Sequence, residues 1–145
     1  MKRVLALILL IGICSNSIVA QSDYCAGVVP SLTVGSSCTP TAFSIPSGFV
    51  DNFVSEPSCA TNFRDGFFQF TATSTSSTVS LTDAAGNGNA GLMLLSGLCG
   101  GTLTEEGCSE LGNDVAESVT FPTNIGEVYL IVIFRSNNAN ANNMT

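Results

Sequence analysis

Apolar and polar residues alternate in several short stretches of the chain, with the period of two that is typical of half-buried β-strands. In the clearest stretch, 67–72, Phe68, Phe70 and Ala72 share one face and Phe67 falls on the other. The predicted strands are 31–34, 41–45, 66–72, 78–83, 91–95, 117–121 and 127–134. Turn residues separate them at fairly even spacing, a series typical of an all-β sandwich or barrel.

One stretch breaks the alternation. Residues 128–134 are apolar at every position, which predicts a central strand covered on both faces. The segment 83–91 is rich in small residues and contains an Asn-Gly pair, as expected of a hairpin loop. The pattern therefore predicts one all-β domain.

The first 20 residues have the organisation of a secretory signal peptide. Lys2 and Arg3 precede an apolar run at 4–14, and a small polar stretch ends at Ala20. The alternative is a transmembrane anchor, which needs about 20 apolar residues, and this run has eleven. We predict cleavage near Ala20 and a secreted or outer-surface location. The predicted organisation is a signal peptide at 1–20, a β-sandwich module at 21–135 and a polar loop or linker at 136–145.

Acidic residues outnumber basic ones, and the formal net charge is −7. Loss of Lys2 and Arg3 with the signal peptide leaves Arg64 and Arg135 as the cations and lowers the charge to −9. Nucleic-acid binding needs clustered cations, and anionic membranes attract basic surfaces. The predicted partners are therefore further domains of a longer polypeptide or an extracellular polymer, with no nucleic acid and no membrane span after signal removal.

The chain has no histidine, which removes Ser-His and Cys-His nucleophiles and His-ligated metals from its chemistry. It also has no Gly-x-Ser-x-Gly motif. Two carboxylate clusters, Glu105 with Glu106 and Glu110, and Asp114 with Glu117, could in principle cleave a glycosidic bond across a cleft. Solvated surface charge is the commoner meaning of such clusters. We predict no catalytic residue, no enzyme activity and no cofactor apart from the calcium considered below.

Five cysteines remain after signal removal, and in an exported protein these should form disulfides. Zinc is the alternative, but the chain lacks both a Cys-x-x-Cys pair and histidine. Sequential pairing predicts a disulfide-stapled domain. The predicted bonds are Cys38 with Cys59 and Cys99 with Cys108, the latter around a short hairpin, and Cys25 is left unpaired within the chain.

Five stretches together resemble β-sandwich modules related to bacterial pre-peptidase C-terminal domains: 32–40, 65–72, 92–103, 107–108 and 128–134. The cysteine-containing segment from Ser96 to Cys108 is the most specific part. Such modules recur in secreted and surface proteins of Gram-negative bacteria that use type IX secretion. The resemblance implies an antiparallel, jelly-roll-like β-sandwich that serves as a scaffold and carries no catalytic group.

The chain departs from the pattern of these modules at two sites that bear on ligand binding. Relatives often carry a run of aspartates after the cysteine that matches Cys108, which implies calcium. Here Glu110 and Asp114 are the candidate ligands, whereas calcium takes six to eight oxygens. Phe67 stands where relatives tend to carry Trp, so it either forms an exposed stacking platform or packs at the rim of the core. Tyr129 is the second candidate for stacking on a ligand.

The end of the chain is the last departure. The modules usually finish with one more strand, whose cysteine resembles a partner for Cys25. The resemblance therefore predicts an N-terminal piece of a longer protein that lacks its last strand, and the alternative is a short protein in which Cys25 pairs between molecules.

Three functions follow from these observations. The first is a non-catalytic accessory or interaction β-sandwich of an exported or cell-surface protein. The second is a carbohydrate- or polymer-binding module, and the third is the N-terminal fragment of a secreted hydrolase.

Overall fold

The computed structural model describes six β-strands and no helix within its described residues, which are 25, 29–38, 40–43, 45, 56–61, 64–82, 90–112 and 115–136. The strands are β1 (Arg64–Thr71), β2 (Ser76–Leu81), β3 (Ala90–Gly97), β4 (Leu103–Ser109), β5 (Glu117–Pro122) and β6 (Val128–Arg135). The predicted signal peptide, most of the loop at 83–91 and most of the polar segment at 136–145 lie outside the described residues. No helix in the described ranges is long and apolar enough to cross a membrane.

The strands form two antiparallel sheets. One has four strands in the order β1-β6-β3-β4, and the other pairs β2 with β5. Four of the five connections between successive strands pass from one sheet to the other. The predicted all-β antiparallel sandwich is confirmed. Two of the predicted strands, 31–34 and 41–45, are not among the six, although Ser31 bridges Gln69 of β1 in parallel.

An inner core fills the space between the sheets. The larger sheet contributes Phe68, Phe70 and Ile131, and the smaller sheet contributes Val119 and Phe121. This confirms the face that the alternation assigned to Phe68 and Phe70. The two remaining sets of buried side chains in the inner core are Leu81, Ala90, Leu92, Leu94, Tyr129 and Ile133 from strands, and Phe43, Ile45 and Ala72 from connecting segments.

A second set of buried side chains covers the opposite face of the four-stranded sheet. This outer cluster consists of Phe67, Met93, Leu95, Leu130, Val132 and Phe134. Six partly buried residues pack over it: Cys25, Val29, Ala60, Cys99, Leu103 and Cys108. Because β6 pairs with both β1 and β3 and is buried on both faces, the predicted central strand is confirmed.

The disulfides differ from the prediction. Cys25 bonds Cys99 and Cys59 bonds Cys108, with Cα atoms 5.6 Å and 5.8 Å apart, while Cys38 is free and exposed. The predicted Cys38–Cys59 and Cys99–Cys108 bonds, and the unpaired Cys25, are therefore wrong.

The hairpin geometry explains why Cys99 does not reach Cys108. Leu103 lies opposite Gly97, at the turn end of the β3–β4 hairpin, whereas Cys108 lies opposite Met93. Five residues of strand, or about 17 Å, separate Leu103 from Cys108. Cys99 sits in the turn itself, so both cysteines belong to one hairpin but face different segments that cross the outer cluster.

Two glycines permit close approaches that a side chain would prevent. An added Cβ at Gly91 would lie 2.2 Å from Cζ of the Phe134 ring. Gly97 has a φ of 106°, and its added Cβ would lie 2.3 Å from the carbonyl oxygen of Thr102, so it is suited to ending β3 at the tight turn. The pairing of β3 with β4 also contains a β-bulge, because Leu94 lies opposite Gly107 and Leu95 opposite Glu105.

Candidate functional site

Phe67 is not a ligand platform. Its side chain is 0% exposed and belongs to the outer cluster, so of its two predicted alternatives the exposed stacking platform is wrong and packing against the core is what the structure shows. The alternation correctly separated Phe67 from the inner core. However, a strand's second face meets solvent only where nothing covers it, and here Val29 and Ala60 lie over the cluster together with the cysteines.

Tyr129 is also inside the protein, with 3% of its surface exposed, so its predicted stacking role is wrong as well. Its ring stacks on Phe70 at a centroid distance of 5.6 Å and meets the edge of Phe121 at 5.3 Å. The hydroxyl accepts a 3.0 Å hydrogen bond from the backbone N–H of Asn124 and donates one of 3.2 Å to Glu127. Tyr129 therefore braces the β5–β6 turn, in the manner of a tyrosine corner.

The carboxylates predicted to cluster on β4 have separate partners. Glu105 accepts hydrogen bonds from the backbone N–H of Ser58, at 3.0 Å, and from the Ser58 hydroxyl. Glu106 accepts one from Ser96, and Glu110 accepts one of 3.0 Å from Ser136. Each carboxylate thus ties β4 or its continuation to a different part of the chain. The three do not converge on one reacting position.

The calcium hypothesis rested on Glu110 and Asp114. Asp114 lies outside the described residues, so the pair itself stays a prediction. Glu110 is partly buried and already accepts a hydrogen bond from Ser136. Among the described residues, no group of three or more His, Cys, Asp or Glu side chains is placed to hold a metal ion.

Glu117 has a role that the sequence did not reveal. It is 1% exposed, and its two oxygens accept hydrogen bonds from the Ser109 hydroxyl and, at 2.8 Å, from the backbone N–H of Leu111. A buried carboxylate is favourable when such donors replace water. Glu117 therefore fastens the β4–β5 connection, whereas the sequence grouped it with Asp114 as an acidic cluster.

The charged residues at the paired ends of β1 and β6 were also not predicted to lie together. Arg135 and Asp65 are both fully buried. Arg64 and Arg135, the two cations of the predicted mature chain, lie directly opposite each other on β1 and β6. Like charges at opposed positions destabilise a strand pair, so sequence reasoning has no rule that would place them together.

The outward face of the β2–β5 ribbon carries hydroxyl groups. Thr78 and Thr120 are joined by a 2.8 Å hydrogen bond between their hydroxyls, and Ser80 and Ser118 by one of 3.1 Å. The face, which we call the hydroxyl face, consists of Ser76, Thr78, Ser80, Ser118, Thr120 and Pro122, all exposed and uncharged. This face was not predicted from the sequence, because it exists only where β2 pairs with β5.

Comparison with known proteins finds no relative from which a function could be inferred. No protein-family model, no curated protein and no solved structure matches the chain. The resemblance to pre-peptidase C-terminal modules accordingly stays a prediction.

Proposed function

We propose that the chain is a non-catalytic accessory or interaction β-sandwich of an exported or cell-surface protein, of the kind found in type IX secretion substrates. Its partners are further domains of a longer polypeptide or an extracellular polymer. The proposal extends the resemblance to pre-peptidase C-terminal modules.

One observation carries the non-catalytic part of this proposal. Five described glutamates each accept hydrogen bonds from the chain itself, and each links parts of the fold that are separate in sequence or closes a turn. They are Glu105, Glu106, Glu110, Glu117 and Glu127. A general acid or base must reach a substrate proton. Carboxylates used in this way support a scaffold rather than a reacting centre.

The exported part is supported by the two disulfides. Disulfides persist in oxidising compartments and are rare in the reducing cytosol. Because Cys25–Cys99 and Cys59–Cys108 close long loops, they suit a domain that must stay folded outside the cell.

The test combines export and activity. Residues 1–20 are fused to a reporter in a Gram-negative host, the cell fractions are assayed, and the N-terminus of the mature protein is read by mass spectrometry. We expect export and a mature chain beginning at Gln21. The purified protein is then assayed on glycoside, ester and peptide substrates beside the variant E105Q/E106Q/E110Q. Turnover by the wild type that this variant loses would overturn the non-catalytic assignment, and retention of the reporter in the cytosol would overturn export.

A second candidate is binding of a neutral polysaccharide, and the hydroxyl face favours it. Thr78, Ser80, Ser118 and Thr120 present paired hydroxyls on a face without charge, in a protein that is otherwise strongly acidic. A neutral polyhydroxyl polymer can exchange hydrogen bonds with such a face without burying an unpaired charge.

Sedimentation with insoluble neutral polysaccharides tests this candidate. We expect T78K/T120K to lose the binding shown by the wild type. The matched control is T102K/T104K, which places two lysines at exposed positions in β4 and just before it. If the wild type stays in solution with every polysaccharide at millimolar sugar, or if both variants behave alike, the hydroxyl face is not a binding site.

A further inference from the structure

One end of the sandwich is formed by three short turns. The β1–β2, β3–β4 and β5–β6 connections, at 72–75, 98–102 and 123–127, all lie at this end, which we call the turn end. All three turns belong to the described residues. They lie side by side, because β6 pairs with both β1 and β3, and the N–H of Gly126 donates a 2.8 Å hydrogen bond to the carbonyl of Ala72.

The turn end exposes large aliphatic side chains. Leu98 is 78% exposed, Ile125 is 67% exposed, and Val128, the first residue of β6, is 47% exposed. Gly100 and Gly126 lie in the same two turns, and an added Cβ at either glycine would have no atom within 4 Å. The turns therefore project from the sandwich, and their apolar side chains do not line a groove.

The turn end also carries little charge. Glu127 is the one charged residue in its three turns, and the carboxylate accepts hydrogen bonds from Asn124 and Tyr129. By contrast, the described residues at the opposite end of the sandwich include five charged ones: Arg64, Asp65, Glu110, Glu117 and Arg135. Apolar residues that are grouped on one surface in this way, unlike scattered ones, indicate an interaction surface.

A lipid surface fits the turn end better than a protein partner does. A stable protein interface buries about 800 Å² on each partner, and peptides are usually recognised in a groove or on a strand edge. Three aliphatic side chains on projecting turns supply neither. A bilayer accepts apolar side chains one at a time, and the affinity follows the apolar area buried. Because these turns have a carboxylate and no cation, the surface that suits them is uncharged rather than anionic.

The position of Cys25 brings the same end close to a membrane during export. Cys25 bonds Cys99 in the β3–β4 turn, next to Leu98. The predicted signal peptide ends at Ala20, and the five residues from there to Cys25 span at most about 18 Å when extended. Once the disulfide has formed, an uncleaved signal peptide in the membrane therefore keeps the turn end near the bilayer. This step alone rests on the proposed function, through its export.

We propose that the turn end docks on an uncharged lipid surface, into which Leu98 and Ile125 insert. Glu127 stays among the headgroups, where its carboxylate can face the quaternary ammonium group of phosphatidylcholine. The strands then run away from the bilayer, and the hydroxyl face of the β2–β5 ribbon remains in water.

A tryptophan probe tests which end of the sandwich meets the lipid. The chain has no tryptophan, so a single introduced one reports its own surroundings. Purified mature protein carrying Ile125→Trp is mixed with phosphatidylcholine vesicles, beside Leu111→Trp, which places the same probe at an exposed position of the opposite end. We expect the emission of I125W alone to shift to shorter wavelength. Equal shifts, or no shift in either variant, would overturn docking through the turn end.

Vesicle sedimentation measures the contribution of the native side chains. L98S/I125S should lower the partition coefficient at least about tenfold, because two aliphatic side chains no longer leave water. The matched control L111S/V115S, which changes two exposed aliphatic residues at the opposite end, should leave it unchanged. An unchanged partition coefficient in L98S/I125S, or equal losses in both variants, would contradict the insertion of Leu98 and Ile125.

Two further arms identify the surface. Vesicles that contain phosphatidylglycerol should bind the wild type more weakly, since the predicted mature chain has a net charge of −9. Stronger binding to these vesicles would overturn the assignment to an uncharged surface. A lipid-free dimer that L98S/I125S abolishes in sedimentation velocity would assign the turn end to a second copy of the chain instead. Purified protein is used throughout, so the outcome is independent of the reporter test of export.

Discussion

Substitution of Gly91 by alanine tests the packing between β3 and β6 directly. Gly91 lies opposite Phe134 in the strand pair, and an added Cβ would be 2.2, 2.3 and 2.8 Å from three atoms of the Phe134 ring. Real Cβ contacts are never so short, so the ring must move. Phe134 is 0% exposed and sits in the outer cluster among Met93, Val132 and their neighbours, which leaves it little room.

The size of the effect follows from two opposing terms. Overpacking a filled core costs about 1–3 kcal/mol. Replacing glycine restricts the unfolded chain and returns about 0.4–1 kcal/mol. We therefore expect G91A to lower the free energy of unfolding by roughly 1–2 kcal/mol and the melting temperature by about 4–8 °C.

Equilibrium unfolding in guanidinium chloride, with the disulfides intact, measures this change. The matched control is G101A, because an added Cβ at Gly101 meets its nearest atom at 3.4 Å. The control should stay within about 0.5 kcal/mol of the wild type. In a double-mutant cycle, F134L removes the ring atoms that clash and should relieve at least about 1 kcal/mol of the penalty. A G91A protein as stable as the wild type, or a penalty that persists with F134L, would refute this account of the packing.

Three further predictions concern single side chains. Y129F keeps the ring stacking but removes the acceptor of the Asn124 N–H, so it should lower the free energy of unfolding, measured by thermal unfolding, by about 1–2 kcal/mol. An unchanged stability would mean that the Tyr129 hydroxyl does not stabilise the β5–β6 turn. E117A should cost about 2 kcal/mol in chemical denaturation because it removes the acceptor of two part-buried hydrogen bonds, from the Ser109 hydroxyl and the Leu111 N–H. E117Q retains an acceptor and should cost less; equal losses would contradict the hydrogen-bonding role. Alkylation of the native mature protein should label Cys38 alone, as read by peptide mass spectrometry, and label at Cys25 or Cys59 would contradict the pairing.

The parts of the fold that sequence predicts well are those in which a single strand carries its own pattern. The alternation at 67–72 assigned Phe68 and Phe70 to the inner core, and the unbroken run at 128–134 identified β6 as central. Strand β4 was missed because its sequence, LTEEGCS, has adjacent glutamates and no apolar alternation. Glu105 accepts hydrogen bonds from Ser58, and Glu106 accepts one from Ser96. Ser58 is far from β4 in the sequence, so a local pattern of residues could not predict that contact.

The candidate site was harder to predict because it depends on what covers each residue. Phe67 was correctly separated from the inner core, but its burial depends on residues from other segments that pack over the outer cluster, among them Cys25, Val29 and Ala60. The disulfide pairing was mispredicted for a similar reason. Which cysteines bond depends on which segments meet over the sheet, and not on their order along the chain. Glu117 looked like surface charge because its donors, Ser109 and Leu111, become neighbours only when the β4–β5 connection turns back.

The two disulfides interlace along the chain, since Cys59 lies inside the loop closed by Cys25 and Cys99, and its own partner, Cys108, lies beyond it. If the chain is oxidised while it enters the oxidising compartment N-terminus first, Cys25 meets Cys38 and Cys59 before its native partner Cys99. Each early bond of this kind has to be undone by thiol exchange, a process that takes seconds to hours. The interlaced connectivity therefore favours non-native disulfides early in folding. We expect a disulfide isomerase to raise the yield of correctly folded protein more than an oxidant does.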